Sequence, residues 1–157
     1  MANRDSDRAL LVVDTTASAR ADVPSADTVL THIRGELKYF RERGRMVLFA
    51  QRPGEEALLP ARRNEPVIEK NAPSAFFGTG LDKLLRQAEV ERLTIVGFDT
   101  PTNVLLTAGD ALAHRFRVVV PEPCCAARVL GDHKAAMHLI QEVWAPGAEL
   151  SRTGQWS

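Results

Sequence analysis

The chain has 157 residues, of which 45% are hydrophobic and 25% charged, the size and mixture of a single globular domain. At this length roughly 68–70% of the unfolded surface can be buried, so the core needs no disulfide or metal staple. Twenty Lys and Arg balance twenty Asp and Glu. That neutrality leaves no electrostatic footprint for nucleic acid or for an anionic membrane surface. No apolar run approaches the ~20 residues of a membrane span, and residues Met1 to Asp7 lack the apolar stretch of a signal peptide. The two cysteines, Cys124 and Cys125, are adjacent, a poor arrangement for a stabilising disulfide. A reduced, cytoplasmic protein is expected.

Apolar bursts alternate with amphipathic stretches along the chain. Leu10-Leu11-Val12-Val13 reads as a strand buried on both faces. Ser25 is a plausible N-cap for a helix whose apolar positions are Val29, Leu30, Ile33, Leu37 and Phe40, with Gly44 as its stop. Met46 to Ala50 is a second strand, followed by a loop from Gln51 to Pro66. Val67-Ile68-Glu69 is a short third strand, and a helix starts near Thr79 with Leu81, Leu84, Leu85 and Ala88 inward. Leu93 to Phe98 is a fourth strand. Val104, Leu105, Ala108, Ala111 and Leu112 then mark a helix, and Arg117 to Val120 a fifth strand. A last helix runs from Asp132 to Trp144 with Ala136, Met137, Ile140 and Val143 inward, and the tail after Pro146 is read as loose.

Strands alternating with helices predict a three-layer α/β/α domain with a mostly parallel central sheet, its core over about residues 8–145. In such sheets ligands bind at the carboxyl ends of the strands. Asp14 ends the first strand, Gln51 and Arg52 the second, Lys70 the third, and Asp99 and Thr100 the fourth, with Asn103 in the turn beyond. Polar groups from four strands converge on one edge. An Asp and a Lys directly after buried strands are costly unless paired or used. A purely structural Asp14–Lys70 ion pair explains them as well as a site does.

At these residues the sequence resembles the isochorismatase-like, or cysteine hydrolase, superfamily, which includes nicotinamidases and N-carbamoylsarcosine amidohydrolases. The anchors are Leu10 to Asp14, Glu69-Lys70-Asn71-Ala72-Pro73-Ser74-Ala75-Phe76-Phe77-Gly78-Thr79, Gly97-Phe98-Asp99-Thr100, Thr107 to Ala111, and Cys125 to Arg128. The resemblance runs from Ala9 to about Ala136. It implies an isochorismatase-like hydrolase fold and a small-molecule substrate. In the family an Asp, a Lys and a Cys form the catalytic triad. The first two fall on Asp14 and Lys70, and the nucleophile position falls on Asn103. The resemblance thus implies a member without the nucleophilic cysteine.

An amide side chain is no usable nucleophile, so thioester chemistry is not expected; Asn103 can only donate or accept hydrogen bonds. Bacterial isochorismatases also lack the cysteine and cleave a vinyl ether with water, their strand-end Asp acting as general acid. That relation implies a general acid in Asp14, an electrostatic partner in Lys70, and a water- or substrate-orienting role for Asn103 and Gln51. Arg52, Phe76, Asp99 and Thr100 complete the expected substrate contacts. The family's oxyanion site falls on the amides of Asn103 and Asp99, and its frequent cis peptide on the Phe98-Asp99-Thr100 turn, where Pro101 is unusual.

Other features depart from those relatives. Glu56 stands where their substrate-gripping Arg does, and Thr15-Thr16 replaces a Met-Gln pair. The His that serves zinc in nicotinamidases does not follow Arg52. His32, His114, His133 and His138 are not spaced as a ligand set. No metal or cofactor is therefore expected, and Cys125 is read as a buried small residue. Relatives are commonly dimers or tetramers, so a homo-oligomer is expected. The alternatives to an enzyme are a catalytically silent relative that binds a small ligand and a subunit that stabilises another protein.

Overall fold

The computed structural model describes residues 6–144. The strands are β1 (Arg8–Val13), β2 (Met46–Gln51), β3 (Val67–Glu69), β4 (Arg92–Phe98), β5 (Arg117–Val119) and β6 (Cys125–Ala126). The helices are α1 (Ala17–Arg20), α2 (Ala26–Glu42), α3 (Leu81–Gln87), α4 (Leu105–Ala113) and α5 (Leu130–His138). All strand pairs are parallel, in the order β3-β2-β1-β4-β5, with β6 continuing beside the end of β4.

The apolar runs explain this arrangement. A parallel sheet is covered on both faces, so its central strands need side chains that can be buried in both directions. In β1, Ala9, Leu11 and Val13 face one core, with Leu48, Leu93, Ile95 and Val118 and the inner sides of α3, α4 and α5. Leu10 and Val12 face the other, with Val47, Phe49, Val96 and Phe98 against Val29, Leu30, Ile33, Leu37 and Phe40 of α2. The period of two in the strands and of 3.6 in α2 meet in that second core.

One glycine fixes the contact between the two central strands. Gly97 has φ +129°, and a Cβ there would lie 1.9 Å from the carbonyl oxygen of Val13. Gly97 pairs with Val13 on one side and Cys125 on the other. Only a residue without a side chain lets β4 pass this closely beside the residue that precedes Asp14.

Several boundaries differ from those expected. Ser25 is the residue before α2, but its side chain makes no capping hydrogen bond. α1 and β6 are too short to leave a periodic signal. The helix after β4 begins as a π-helical turn, Thr100–Val104. α5 ends in another, Leu139–Val143. That change of pitch rotates Val143 outward, where it is half exposed, while Ala136, Met137 and Ile140 remain buried. Trp144 packs against the core beside Gly109. The tail after Pro146 lies outside the described residues. No helix among those residues is long and apolar enough to cross a membrane.

Candidate functional site

The carboxyl ends of β1, β3 and β4 bring three side chains together. Asp14 follows β1 with φ +47° and is pinned by its own N–H to the Ala50 carbonyl at 2.9 Å. Lys70 follows β3, where its N–H donates to the Gln51 carbonyl at 3.0 Å. Its Nζ is fully buried and lies 2.6 Å from Asp14 Oδ2. The same ammonium faces the carbonyls of Ala72 (3.2 Å) and Pro73 (3.1 Å) and Asn103 Oδ1 (3.2 Å). A buried ammonium surrounded by oxygens is the arrangement that offsets its desolvation.

Those partners set the orientation of the Asn103 amide. Lys70 can only donate, so the oxygen of Asn103 must face it. The nitrogen then donates to the Phe98 carbonyl at 3.0 Å. One Nδ2–H remains and is not taken up by a hydrogen bond among the described residues. Asn103 borders a cleft of about 180 Å³ that is also lined by Asp14, Thr16, Ser18, Ala19, Arg52 and Glu55. Asn103 therefore offers the cleft a donor and no base.

Asp14 supplies the titratable group. Burial pushes its carboxyl above the usual aspartate range; Lys70, and behind it the charge and backbone amide of Arg52, pull the other way without cancelling the effect. A carboxyl held protonated to a higher pH than usual, at the wall of a cleft, can pass a proton to a bound molecule and take one back from water.

The other expected residues are distributed differently. Arg52 is exposed at the cleft. Gln51 turns its Nε2 to the Glu55 carbonyl at 3.1 Å and supports the following loop. Phe76 is buried against His114, with ring centroids 5.2 Å apart, and faces the core, away from the cleft. Thr100 is fully buried, its hydroxyl 2.8 Å from His133 Nδ1. Asp99 caps the turn it precedes: its carboxylate accepts from the Thr102 hydroxyl and, at 3.4 Å, from the Asn103 N–H. The Asn103 amide is thus turned to a carboxylate, which would repel an oxyanion. The Phe98–Asp99 peptide is cis.

Thr16, of the pair that replaces the relatives' Met-Gln, lines the cleft with Ser18, Ala19 and Glu55, which the sequence does not single out as contacts. Their signal was a helix start: Thr16 caps α1 through the Ala19 N–H, and Ser18 donates to Glu55 at 2.5 Å. The loop after β2 is strapped onto this turn by bonds from Ala17 N–H to the Glu56 carbonyl (3.0 Å) and from Leu58 N–H to the Thr15 carbonyl (2.9 Å). The Glu56 side chain is exposed and does not line the cleft.

Cys124 and Cys125 are buried, and burial pushes both thiols up to about 12. Neither lines the cleft. Among the described residues no three His, Cys, Asp or Glu side chains gather to hold a metal ion. A larger groove of about 530 Å³ lies along α2, lined by Arg34, Leu37, Lys38, Arg41, Glu42, Leu59, Pro60 and Arg62. It lies away from the three convergent groups.

Comparison with known proteins bears on the fold and the family. The chain is 35% identical over 80 residues to the maleamate amidohydrolase of Pseudomonas putida, covering 51% of this chain and 37% of that protein. It is 36% identical over 77 residues to the N-carbamoylsarcosine amidase of an Arthrobacter species, covering 49% and 29%. The match thus spans well under two thirds of these relatives. Among solved structures, the nicotinamidase of Staphylococcus aureus superposes with a TM-score of 0.82 at 26% identity, covering 88% of this chain and 95% of that one. An isochorismatase family protein from Desulfovibrio vulgaris gives 0.78 at 29% identity, covering 84% and 88%. A pyrazinamidase of Pyrococcus horikoshii in complex with zinc gives 0.78 at 25% identity, covering 84% and 93%. The donor set for such an ion is not gathered among the described residues of this chain. The isochorismatase domain itself matches residues 8–155, and the chain belongs to the isochorismatase family.

Proposed function

We propose that the chain is a hydrolase of a small polar molecule that works without a cysteine nucleophile and without a covalent enzyme intermediate. The observation that carries this reading is the Asn103 amide, locked between Lys70 and the Phe98 carbonyl at the wall of the cleft. Lys70 is the electrostatic partner of Asp14 and holds Asn103 in orientation. A cleft of about 180 Å³ is below the ~300–1,000 Å³ of drug-sized sites, which favours a compact substrate. Arg52 at its edge favours one that carries an anionic group.

An enol ether is the substrate class that suits these groups. Protonated Asp14 gives its proton to the terminal carbon of the double bond, leaving an oxocarbenium ion and the Asp14 carboxylate. Water adds to the cationic carbon and returns a proton to Asp14. The resulting hemiketal breaks into a carbonyl compound and an alcohol. The free N–H of Asn103 orients the substrate oxygen or the water. No step requires a tetrahedral oxyanion, which the Asp99 carboxylate beside the Asn103 N–H would oppose.

The smallness of the cleft favours a second reading, a catalytically silent relative that binds a small ligand. A homo-oligomeric, cytoplasmic protein is part of either reading. Exposed Leu130, Val129, Leu139 and Val143 along α5 and its extension support self-association, and two free thiols support a reducing compartment.

The test is turnover of a panel of small enol ethers and amides in H₂¹⁸O by the wild-type chain, Asp14→Asn and Asn103→Ala. We expect ¹⁸O in the carbonyl product of an enol ether, loss of turnover in Asp14→Asn, and a reduced rate in Asn103→Ala. No product from any substrate, with thermal shifts on ligand addition, would establish the silent reading. Full activity in Asp14→Asn would remove Asp14 as the acid.

A further inference from the structure

A second polar chain, buried at Thr100 and His133 and open to solvent at Glu122, lies behind the turn that carries Asn103 and takes no part in the proposed chemistry. His133, in α5, is buried. Its Nδ1 is 2.8 Å from Thr100 Oγ1, and its Nε2 is 3.3 Å from Glu122 Oε1. Thr100 is the first residue of the π-helical turn in which Asn103 is the fourth. We infer that His133 is a positioning residue: as the Nε2–H tautomer, with the Glu122 carboxylate beside Nε2, it accepts the Thr100 hydroxyl and fixes the turn that carries Asn103.

The tautomer follows from the partners. The Glu122 carboxylate beside Nε2 favours the hydrogen there; in a neutral ring Nδ1 is then the acceptor, and the hydroxyl donates to it. Cys125 faces the same hydroxyl, but with its thiol pushed up to about 12 it stays neutral and does not compete as an anion. The backbone of the turn is tied by bonds from Val104 N–H to the Asp99 carbonyl and from Leu105 N–H to the Thr100 carbonyl. The Asp99 carboxylate ties the turn from within, and His133 holds it from a different helix.

Only the catalytic consequence of this inference rests on the proposed role of Asn103; the positioning itself is tested without substrate. In the ¹⁵N-labelled full chain we expect His133 protonated at Nε2 and bare at Nδ1. In His133→Ala we expect the Asn103 Nδ2 hydrogens to exchange about tenfold faster, the order of one lost buried hydrogen bond. The Arg41 Nε–H bound to Glu65 should be unchanged. His133→Asn, which restores an acceptor oxygen near the Nδ1 position, should recover most of the protection. A wild-type ring protonated at Nδ1, unaltered Asn103 exchange in His133→Ala, or equal loosening at Arg41 would each overturn the inference. If His133→Ala fails to fold, the wild-type tautomer decides. Correct exchange behaviour in a chain with no hydrolytic activity would leave the positioning intact and sink the catalytic reading alone.

Discussion

The ammonium of Lys70 donates to Asn103 Oδ1 across 3.2 Å, joining residues thirty-three positions apart in the chain. That contact fixes the orientation of the Asn103 amide at the cleft wall and, in the proposed function, leaves proton transfer to Asp14. It also makes the three side chains energetically interdependent, which can be measured.

Removing one partner from the buried pair leaves the other uncompensated, at a cost of about 3–5 kcal/mol. We expect both Asp14→Asn and Lys70→Met to lower stability in urea titrations, with Lys70→Met leaving a buried acid that neutralises itself by protonation. The double variant should lose less than the sum of the two. Additive losses would mean that Asp14 and Lys70 do not share a site.

Two acids should bend the pH dependence of stability in opposite directions. Burial raises the Asp14 carboxyl above its unfolded range near ~3.9, so the folded chain binds more protons between the unfolded and folded values. Its contribution is present below that range and is lost as pH rises through the folded value. Glu65 behaves oppositely. Burial pushes its carboxyl up, but the Arg41 guanidinium at 2.6 and 2.9 Å and the Arg62 N–H at 2.7 Å outweigh that and hold it low. Its contribution is present above ~4.3 and is lost as pH falls through the lowered value. Glu65→Gln should flatten the acid side of the stability profile. Asp14→Asn should remove the loss that accompanies rising pH.

Cysteine chemistry separates the native thiols from an installed one. Cys124 and Cys125, buried and pushed up to about 12, should ignore a thiol reagent at neutral pH until the chain is unfolded. The thiol of Asn103→Cys would stand beside Lys70 and react rapidly under the same conditions. Slow labelling at position 103 would count against its placement within reach of the ammonium.

Gly97→Ala tests the strand contact. The added methyl would meet the Val13 carbonyl at 1.9 Å, so β4 or the residue before Asp14 must move. A loss of more than about 4 kcal/mol is expected, the range reserved for steric and backbone failures. A variant with wild-type stability and an unshifted Asp14 amide resonance would show that the two strands do not approach this closely.

The alternation of buried runs and amphipathic stretches was sufficient for the layers, since Leu10 to Val13 and the α2 stripe each admit one mode of burial. The strand-end rule put Asp14, Lys70 and Asn103 on one edge of the sheet among other polar groups, and the family resemblance singled those three out. Orientation was not legible. Nothing local tells Phe76 to stack on His114, Gln51 to brace its own loop, or Thr100 to face His133, because each partner comes from elsewhere in the chain. α1 was missed for a related reason: four residues carry too little periodicity, and the turn is held by Thr16 and by the loop strapped across it.

The most direct test of the shared cleft is a carbon NMR titration of the Asp14 carboxyl in the wild-type chain and in Lys70→Met. It requires no knowledge of the substrate. Asp14 should titrate above the ordinary aspartate range near ~3.9 in the wild type and higher still once the ammonium is gone. An Asp14 that titrates at or below that range and ignores the loss of Lys70 would contradict the account.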